Sequence, residues 1–163
     1  MIRKVAFDMD GVLSDFLAKA IETGMYDPET GAFNEEQMLE ADENFWAELP
    51  IIVEGLWLYS RIYAFAKKYD LKVYILSHAV SDCCRLGKKI WLEKNLSINP
   101  MDIVFVSKRA DKNDFADSET LLIDDYEKNV EEFKKAGGNA ILFHRKNIKE
   151  TLEELRGFLN ELV

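Results

Sequence analysis

Two aspartates two residues apart end the first apolar run of the chain. The stretch "KVAFDMDGVLSDF", residues 4–16, contains Asp8 and Asp10, followed at once by Gly11. Side chains at positions i and i+2 of a strand point to the same side, so both carboxylates should lie together where the strand ends. Like charges this close raise each other's pKa unless a cation intervenes. The pattern indicates a bound Mg²⁺ ion or a division of roles between an acid and a nucleophile, and the alternative is an ordinary Asp-Gly turn.

A second acidic pair follows another apolar run, in "TLLIDDYEKN". Asp124 and Asp125 would add their carboxylates to those of the first strand if the two strand ends are neighbours. A hard cation with oxygen ligands fits such a cluster. A calcium-binding EF-hand loop does not fit, because Gly11 stands at the wrong spacing and "DKNDFADSE" lacks glycine at its sixth position.

A serine and a lysine supply groups that could hold an anion. Ser77 ends the apolar run in "VYILSHAVSD", where a hydroxyl and free backbone amides can bind a phosphate oxygen. Lys88 falls on the same helical stripe as Cys84 and Trp91, which should face the core. A lysine on a buried stripe needs an anionic partner, although a side chain that extends to the surface is the alternative.

Short apolar runs alternate with segments of helical period along the whole chain. Strands that are apolar on both faces and separated by helices are typical of a parallel sheet with right-handed crossovers. We predict one three-layer, doubly wound α/β domain over residues 1–163. The predicted strands are 4–7, 72–76, 103–106, 120–123 and 140–143, and the predicted helices are 54–68, 81–95, 127–136 and a last helix with a stripe from Ile148 to Leu162.

Residues 15–50 interrupt this alternation. We predict two helices and no strand there, with the second helix capped by Asn34 and Gln37 three residues later. A segment inserted after the first strand should lie over the carboxyl ends of the strands, where open α/β sheets bind ligands. We therefore expect it to form a small helical cap.

Composition limits the partners of this protein. The chain has 163 residues, 48% of them hydrophobic, and a net charge of −9. This charge disfavours binding to long nucleic acids, which depends on clustered lysine and arginine, but it permits a nucleotide-sized anion.

The adjacent Cys83 and Cys84 suit reduced thiols better than a disulfide. No run reaches 18 apolar residues and no charged leader precedes the first strand, so we expect a soluble, cytoplasmic protein that does not enter a membrane and could form a homodimer.

The motifs occur in an order that resembles a known superfamily. "DMDGVL", Ser77 after a strand, a downstream lysine and "IDDYEKN" resemble the four motifs of the haloacid dehalogenase (HAD) superfamily of phosphohydrolases. The segments "FWAELP", "GKKIWLEK" and "LLIDD" are similar to those of the 5'(3')-deoxyribonucleotidases. The resemblance spans nearly the whole chain and implies a HAD-like fold.

The resemblance also implies a mechanism and residue roles. It implies a Mg²⁺-dependent phosphatase that forms an aspartyl phosphate on Asp8, with Asp10 as general acid and base. Ser77 and Lys88 would hold the phosphate. The implied Mg²⁺ ligands are Asp8, the backbone carbonyl of Asp10, and Asp124, with Asp125 further out or linked to the metal through water.

Some positions depart from the family pattern. Ser77-His78 stands where the nucleotidases typically have Thr-Ser, and Tyr126 stands where an arginine commonly follows the two aspartates. Because these positions would border the phosphate, we expect His78 to contact the substrate. We expect Lys88 rather than Lys108 to hold the phosphate, and we expect the loop that also contains Arg109 and Lys112 to be solvated.

The implied substrate is a small phosphomonoester, and specifically a nucleoside monophosphate such as a pyrimidine deoxynucleotide. Phe16, Phe45 and Trp46 could stack on its base, although they could equally form the core of the cap. Three other functions stay open: a polynucleotide 3'-phosphatase, another small-molecule phosphatase, and a non-catalytic binding protein. A dehalogenase is disfavoured because halide leaves without a proton and gives Asp10 no role.

Overall fold

The computed structural model describes residues 1–159. The strands are β1 (Lys4–Phe7), β2 (Tyr26–Asp27), β3 (Ala32–Phe33), β4 (Lys72–His78), β5 (Ile103–Val106), β6 (Thr120–Asp124) and β7 (Asn139–Leu142). The α-helices are α1 (Phe16–Glu22), α2 (Glu35–Glu40), α3 (Glu43–Ala47), α4 (Val53–Tyr69), α5 (Asp82–Asn95), α6 (Glu127–Lys135) and α7 (Ile148–Arg156). Two 3₁₀ segments, Pro100–Asp102 and Arg109–Phe115, flank β5.

Five strands form one parallel sheet in the order β5-β4-β1-β6-β7. This confirms the predicted doubly wound α/β fold. The strand bounds differ from the prediction mainly in β4, which continues to His78 because Ser77 and His78 pair with β5. Ser77 is therefore inside a strand, not just after it.

Successive residues of β1 face two different helix layers. Val5 and Phe7 belong to a large apolar cluster with α4, α5 and α7, whereas Ala6 belongs to a second cluster with α6. β1 lies in the middle of the sheet, between β4 and β6, and the chain leaves it towards both edges. Ligands of open α/β sheets bind in the crevice at such a switch point, outside the carboxyl ends of the strands.

Local signals place several helix ends correctly. Ser81 caps α5 by accepting a hydrogen bond from the Cys84 N–H, and Gly137, with φ of +97°, follows the end of α6 in the left-handed region. Both cysteines are free, with Cys83 exposed and Cys84 buried. The last helix presents Leu155 to the core, and the predicted contribution of Leu162 lies outside the described residues. None of the helices within residues 1–159 is long and apolar enough to cross a membrane.

Residues 15–50, called the insertion below, contain a hairpin as well as helices. The expectation of no strand there was wrong, because β2 and β3 pair as an antiparallel hairpin. The Asp27 carboxylate accepts hydrogen bonds from the Glu29 N–H and the Thr30 hydroxyl, and the Gly31 N–H donates to the Asp27 carbonyl. Strands of two residues are too short to show the alternation that reveals longer ones. The predicted Asn34 cap is confirmed by its hydrogen bond from the Gln37 N–H.

The insertion is attached to the sheet domain through α3 and α5. Gly87 of α5 makes this contact possible: a Cβ there would lie 2.3 Å from the Glu43 carbonyl oxygen and 2.6 Å from the Trp46 Cβ. Trp46 is 2% exposed at this contact. The absence of a side chain at Gly87 therefore sets how closely the insertion approaches the helix that carries Lys88.

We expect Gly87→Ala to lower the free energy of unfolding by about 1 to 3 kcal/mol, the usual cost of overpacking. Helix propensity alone predicts the opposite sign, a gain of about 0.5 to 1 kcal/mol. Urea unfolding measures the difference. Cys83→Ala on the exposed face of the same helix is the control and should change stability by less than about 0.5 kcal/mol. A stabilised Gly87→Ala protein would contradict the close α3–α5 packing.

Candidate functional site

Asp8 and Asp124 lie side by side at the ends of the two central strands. The Asp8 N–H donates to the Ile123 carbonyl, which extends the β1–β6 pairing by one residue. Asp124 is fully buried and Asp8 is 8% exposed. Burial raises the pKa of the Asp8 carboxyl to about 6, because repulsion from Asp124 and Asp10 adds to desolvation while Lys112 opposes it. Two carboxylates so placed need a positive partner.

Lys112 supplies that positive charge. Its ammonium lies 2.9 Å from Asp8 Oδ1 and 2.8 Å from Asp124 Oδ2. The expectation that Lys112 is solvated was wrong, since the residue is only 2% exposed. Burial lowers a lysine pKa, but Asp8 and Asp124 more than compensate and raise it. Sequence reasoning missed this lysine because it lies on an irregular 3₁₀ segment, where no apolar periodicity marks a buried face.

Asp124 is held by further donors. The Asn129 side-chain amide donates to Asp124 Oδ1 and Oδ2 at 3.1 and 3.0 Å, and the Tyr126 N–H donates to Oδ1 at 2.9 Å. Asn129 comes from the first turns of α6, directly after the strand that carries Asp124. Sequence reasoning assigned it no role. Its position five residues after Asp124 at the start of a helix was the available signal.

Asp10 has a separate lysine partner. Lys88 Nζ lies 2.5 Å from Asp10 Oδ2 and also donates to the Ser77 hydroxyl at 3.3 Å and the His78 carbonyl at 2.6 Å. The Ser14 hydroxyl donates to Asp10 Oδ1 at 3.1 Å. The prediction that Lys88 is buried against an anion is confirmed, with the residue 1% exposed. Lys88 therefore fixes both the Asp10 carboxylate and the end of β4.

Asp125 completes a cluster of three carboxylates. One oxygen each of Asp8, Asp124 and Asp125 lies within 4.8 Å of the others. Asp125 as a residue is exposed, but protein lies close around its carboxyl, and this desolvation together with repulsion from Asp8 and Asp124 raises the pKa of the carboxyl above its usual range. Gly11, with φ of +79°, packs directly on this group: a Cβ there would lie 2.0 Å from Asp125 Oδ2.

The charges at this edge of the sheet fit a divalent cation. Four carboxylates, those of residues 8, 10, 124 and 125, face two ammonium groups, those of Lys88 and Lys112. With all four carboxylates ionised, two negative charges would have no lysine partner within residues 1–159. Mg²⁺ prefers oxygen ligands and would neutralise this excess. The residues that could hold it are Asp8, Asp124 and Asp125. Whether Asp125 would bind the ion directly, or through water as the sequence resemblance implies, stays a prediction.

A cavity of about 390 Å³ opens above these groups, large enough for a small organic phosphate. Its floor contains Asp8, Asp10 and Lys112. His78 also lines it, with its Nε2 3.0 Å from the Ser107 carbonyl oxygen. Burial lowers the pKa of His78, with nearby cations adding to the effect while the Ser107 contact opposes it. The other lining residues are Gly11, Phe16, Leu17, Tyr26, Phe33, Arg109, Asp125, Tyr126 and Asn129.

The aromatic residues expected to contact a substrate are divided between this cavity and the protein interior. Phe16 lines the cavity and stacks on Phe33 with ring centroids 5.8 Å apart. Trp46 lies behind Phe16 at 5.4 Å, buried, and does not line the cavity. Phe45 lines a different cavity of about 490 Å³ within the insertion. Phe33 and Tyr26, in the hairpin that sequence reasoning missed, lie on the wall with Phe16.

Comparisons with known proteins give structural relatives only. No family model matches the chain, and no curated protein matches it in sequence. A hydrolase from Streptococcus pneumoniae TIGR4 is 14% identical with a TM-score of 0.53, covering 98% of this chain and 98% of that chain. L-2-haloacid dehalogenase from Xanthobacter autotrophicus, with chloropropionic acid covalently bound, is 14% identical with a TM-score of 0.56. The match covers 97% of this chain and 84% of the dehalogenase chain. A HAD family enzyme from Bacteroides thetaiotaomicron, an alanine variant in complex with magnesium and inorganic phosphate, is 14% identical with a TM-score of 0.51. The match covers 90% of this chain and 96% of the Bacteroides chain.

At these identities the likeness concerns the fold. The five-stranded parallel sheet with flanking helices is the HAD-like α/β fold. The relatives include both a dehalogenase and an enzyme bound to phosphate, so the fold does not decide the reaction.

We expect Gly11→Ala to displace Asp125 and to weaken Mg²⁺ binding, because the added methyl would overlap its carboxylate. The readout is the rise in melting temperature on adding Mg²⁺, which reports binding to the folded protein. Gly24→Ala is a matched control, since Gly24 has φ of +73° but no atom within 4 Å of an added Cβ. Both variants carry the backbone cost of about 1 to 2 kcal/mol, but only Gly11→Ala should lose the Mg²⁺ effect. Equal Mg²⁺ effects in the two variants would contradict this description of the site.

Proposed function

We propose that this protein is a Mg²⁺-dependent phosphomonoester hydrolase that forms an aspartyl phosphate, an acyl phosphate, on Asp8. The observation that carries the proposal is the separation of the two aspartates into different environments at one cavity floor. Asp8 is paired with Lys112 beside Asp124, whereas Asp10 is paired with Lys88. Two carboxylates with different partners can take two roles, nucleophile and acid-base group.

Asp8 is prepared to act as a nucleophile. Its Oδ1 accepts from the Met9 N–H at 2.8 Å and contacts Lys112, which fixes the carboxylate plane. Within residues 1–159, Oδ2 accepts no hydrogen bond and is available to attack phosphorus. The attack forms a bond from Asp8 Oδ2 to phosphorus and breaks the bond from phosphorus to the substrate alkoxide oxygen. Water then forms a bond to phosphorus and breaks the bond from phosphorus to Asp8 Oδ2, which releases inorganic phosphate and restores the Asp8 carboxylate.

Lys112 is better placed than Lys88 to meet the phosphate. A lysine ammonium has three N–H donors. At Lys88 all three have protein acceptors, and the side chain does not line the cavity. Lys112 contacts two carboxylates and lines the cavity, so one donor remains for a phosphate oxygen. Lys88 and Ser77 would then support the phosphate site indirectly, by holding Asp10 and the end of β4.

Asp10 would transfer the protons. Its side chain is 28% exposed, on the cavity floor two residues beyond the nucleophile. It would protonate the leaving alkoxide in the first step and remove a proton from water in the second. A dehalogenase needs no such acid, because halide is a stable leaving anion. This difference favours phosphate ester hydrolysis over the reaction of the Xanthobacter relative.

Mg²⁺ bound at Asp8, Asp124 and Asp125 would neutralise negative charge on the phosphoryl oxygens. The Bacteroides relative was solved with magnesium and inorganic phosphate, which supports this cofactor.

The first test is hydrolysis of p-nitrophenyl phosphate. We expect activity with Mg²⁺, none in excess EDTA, and recovery on adding Mg²⁺. Asp8→Asn should reduce turnover by about 10⁴-fold or more, as expected for a nucleophile, while the melting temperature stays close to that of the unmodified protein. Asp15→Asn is a control, because Asp15 caps α1 and does not line the cavity. Substantial turnover by Asp8→Asn, or full activity in EDTA, would refute the mechanism.

The second test separates the lysines. We expect Lys112→Met to lower both kcat/KM and the melting temperature, because it leaves two buried carboxylates without their cation. Mg²⁺ should recover part of the stability but not the activity. Lys108→Met is the matched control from the same segment, where the side chain is exposed and has no carboxylate contact in the described chain. Greater damage from Lys108→Met would mean that the phosphate lysine is misassigned.

The substrate we propose is a nucleoside monophosphate, with a pyrimidine deoxynucleotide as the specific form. The wall formed by Phe16, Tyr26 and Phe33 supports this, since aromatic rings at a cavity surface can stack on a base. Phe33 is 41% exposed and so retains a free ring surface. Base contacts by Phe45 and Trp46 remain a prediction, because Trp46 is buried and Phe45 lines the other cavity.

We expect Phe33→Leu to raise KM for deoxynucleotides by about 5- to 100-fold, corresponding to a stacking contribution of about 1 to 3 kcal/mol. Kinetics with thymidine 5'-monophosphate and with p-nitrophenyl phosphate should show a selective loss for the nucleotide. Phe45→Leu is the comparison within the same insertion. An equal loss for both substrates in Phe33→Leu, or a larger nucleotide effect in Phe45→Leu, would show that the hairpin wall does not bind the base.

A further inference from the structure

Arg109 lies on the same side of its segment as Lys112. The two residues are three apart in the 3₁₀ segment Arg109–Phe115, and side chains at i and i+3 of a 3₁₀ helix eclipse each other. Both line the cavity. Three residues of 3₁₀ helix rise about 6 Å, so Arg109 is about that far along the segment from the lysine at the cavity floor.

Arg109 forms no ion pair within the part of the chain that the structure describes. Lys112 is paired with two carboxylates and Lys88 with one, whereas Arg109 has no carboxylate within ion-pair distance among the residues that the structure describes. Its guanidinium lies over the ring of Tyr126, 5.7 Å from the centroid. Stacking on an aromatic ring restricts the guanidinium plane while leaving its N–H donors free for an anion. The cavity therefore contains a fixed, unpaired cation in addition to the groups that handle the reacting phosphate.

The part of the cavity lining that comes from the insertion carries no charged side chain. Phe16, Leu17, Tyr26 and Phe33, from the insertion, form that part. A ligand that matches this cavity has one anionic group at the floor, a flat or apolar group against the insertion, and a second anionic group at Arg109. A nucleoside monophosphate supplies the first two of these, but not the third.

We propose that the preferred substrate carries a second phosphate, bound by Arg109 on Tyr126, so that nucleoside 3',5'-bisphosphates are hydrolysed in preference to the monophosphates proposed above. One phosphate reacts at Asp8 while the other is held at Arg109. The two phosphates of a pentose bisphosphate are attached to different carbons of one ring, and Lys112 and Arg109 both line the one cavity, so a single ligand can meet both cations. This inference rests on the proposed phosphatase activity and makes Arg109 the residue that selects among phosphomonoesters.

The test compares matched pairs of substrates. Thymidine 5'-monophosphate is compared with thymidine 3',5'-bisphosphate, and ribose 5-phosphate with ribose 1,5-bisphosphate, by release of inorganic phosphate. We expect kcat/KM to be about 10- to 100-fold higher for the bisphosphate of each pair, the effect of one charge-assisted contact. Arg109→Gln should reduce this ratio to near 1. The sugar pair tests the second phosphate independently of any base.

Arg61→Gln is the matched control. Arg61 also lies over an aromatic ring, 5.2 Å from the Trp57 centroid, but on α4 and away from the cavity. We expect this variant to keep both the activity and the ratio. Hydrolysis of p-nitrophenyl phosphate without a preference for bisphosphates, or an unchanged preference in Arg109→Gln, would overturn the inference and leave the phosphatase proposal intact. Failure to hydrolyse any phosphomonoester would overturn both.

Discussion

The contact of Lys112 with Asp8 and Asp124 is the interaction on which the site depends. Adjacent parallel strands end in carboxylates, and the sheet brings these within a few ångströms of each other in a buried place. Buried like charges are strongly unfavourable unless a cation shares the space. The Lys112 ammonium, 2.9 Å from Asp8 Oδ1 and 2.8 Å from Asp124 Oδ2, reduces the repulsion between the two carboxylates. It leaves an excess of negative charge that a divalent ion can neutralise.

A second set of contacts connects the insertion to Asp10. Lys88, which pairs with Asp10, also lies over the Trp46 ring at 5.4 Å from its centroid. Trp46 in turn stacks on Phe16 at the cavity wall. The ring on which we expect a substrate to rest is thus two contacts away from the lysine that holds Asp10. A displacement of Phe16 would therefore reach Asp10 through packed side chains.

The fold permits several reactions, and the cavity decides among them. Relatives of similar shape include a dehalogenase and an enzyme crystallised with magnesium and phosphate. The local features of this cavity are two aspartates two residues apart, two lysines with different partners, and an arginine that lies over the Tyr126 ring.

The sequence by itself determined that the strands form a parallel sheet, and it determined which residues stand at the ends of β1 and β6. Continuous apolar runs with helices between them have few other solutions, and the position of Asp8 and Asp10 after such a run placed both at the carboxyl end of β1. Their separate lysine partners were decided by the folded structure, because both aspartates lie beyond the last residue of β1. It also indicated that Lys88 is buried, because that residue shares a regular helical stripe with core residues. Only the tertiary structure revealed Lys112, Asn129, Arg109 and the hairpin β2–β3. Lys112 and Arg109 lie on a 3₁₀ segment and the hairpin strands have two residues each, so no periodic pattern signals which side chains turn inward. Their positions depend on contacts with residues distant in sequence, and those contacts exist only once the chain is folded.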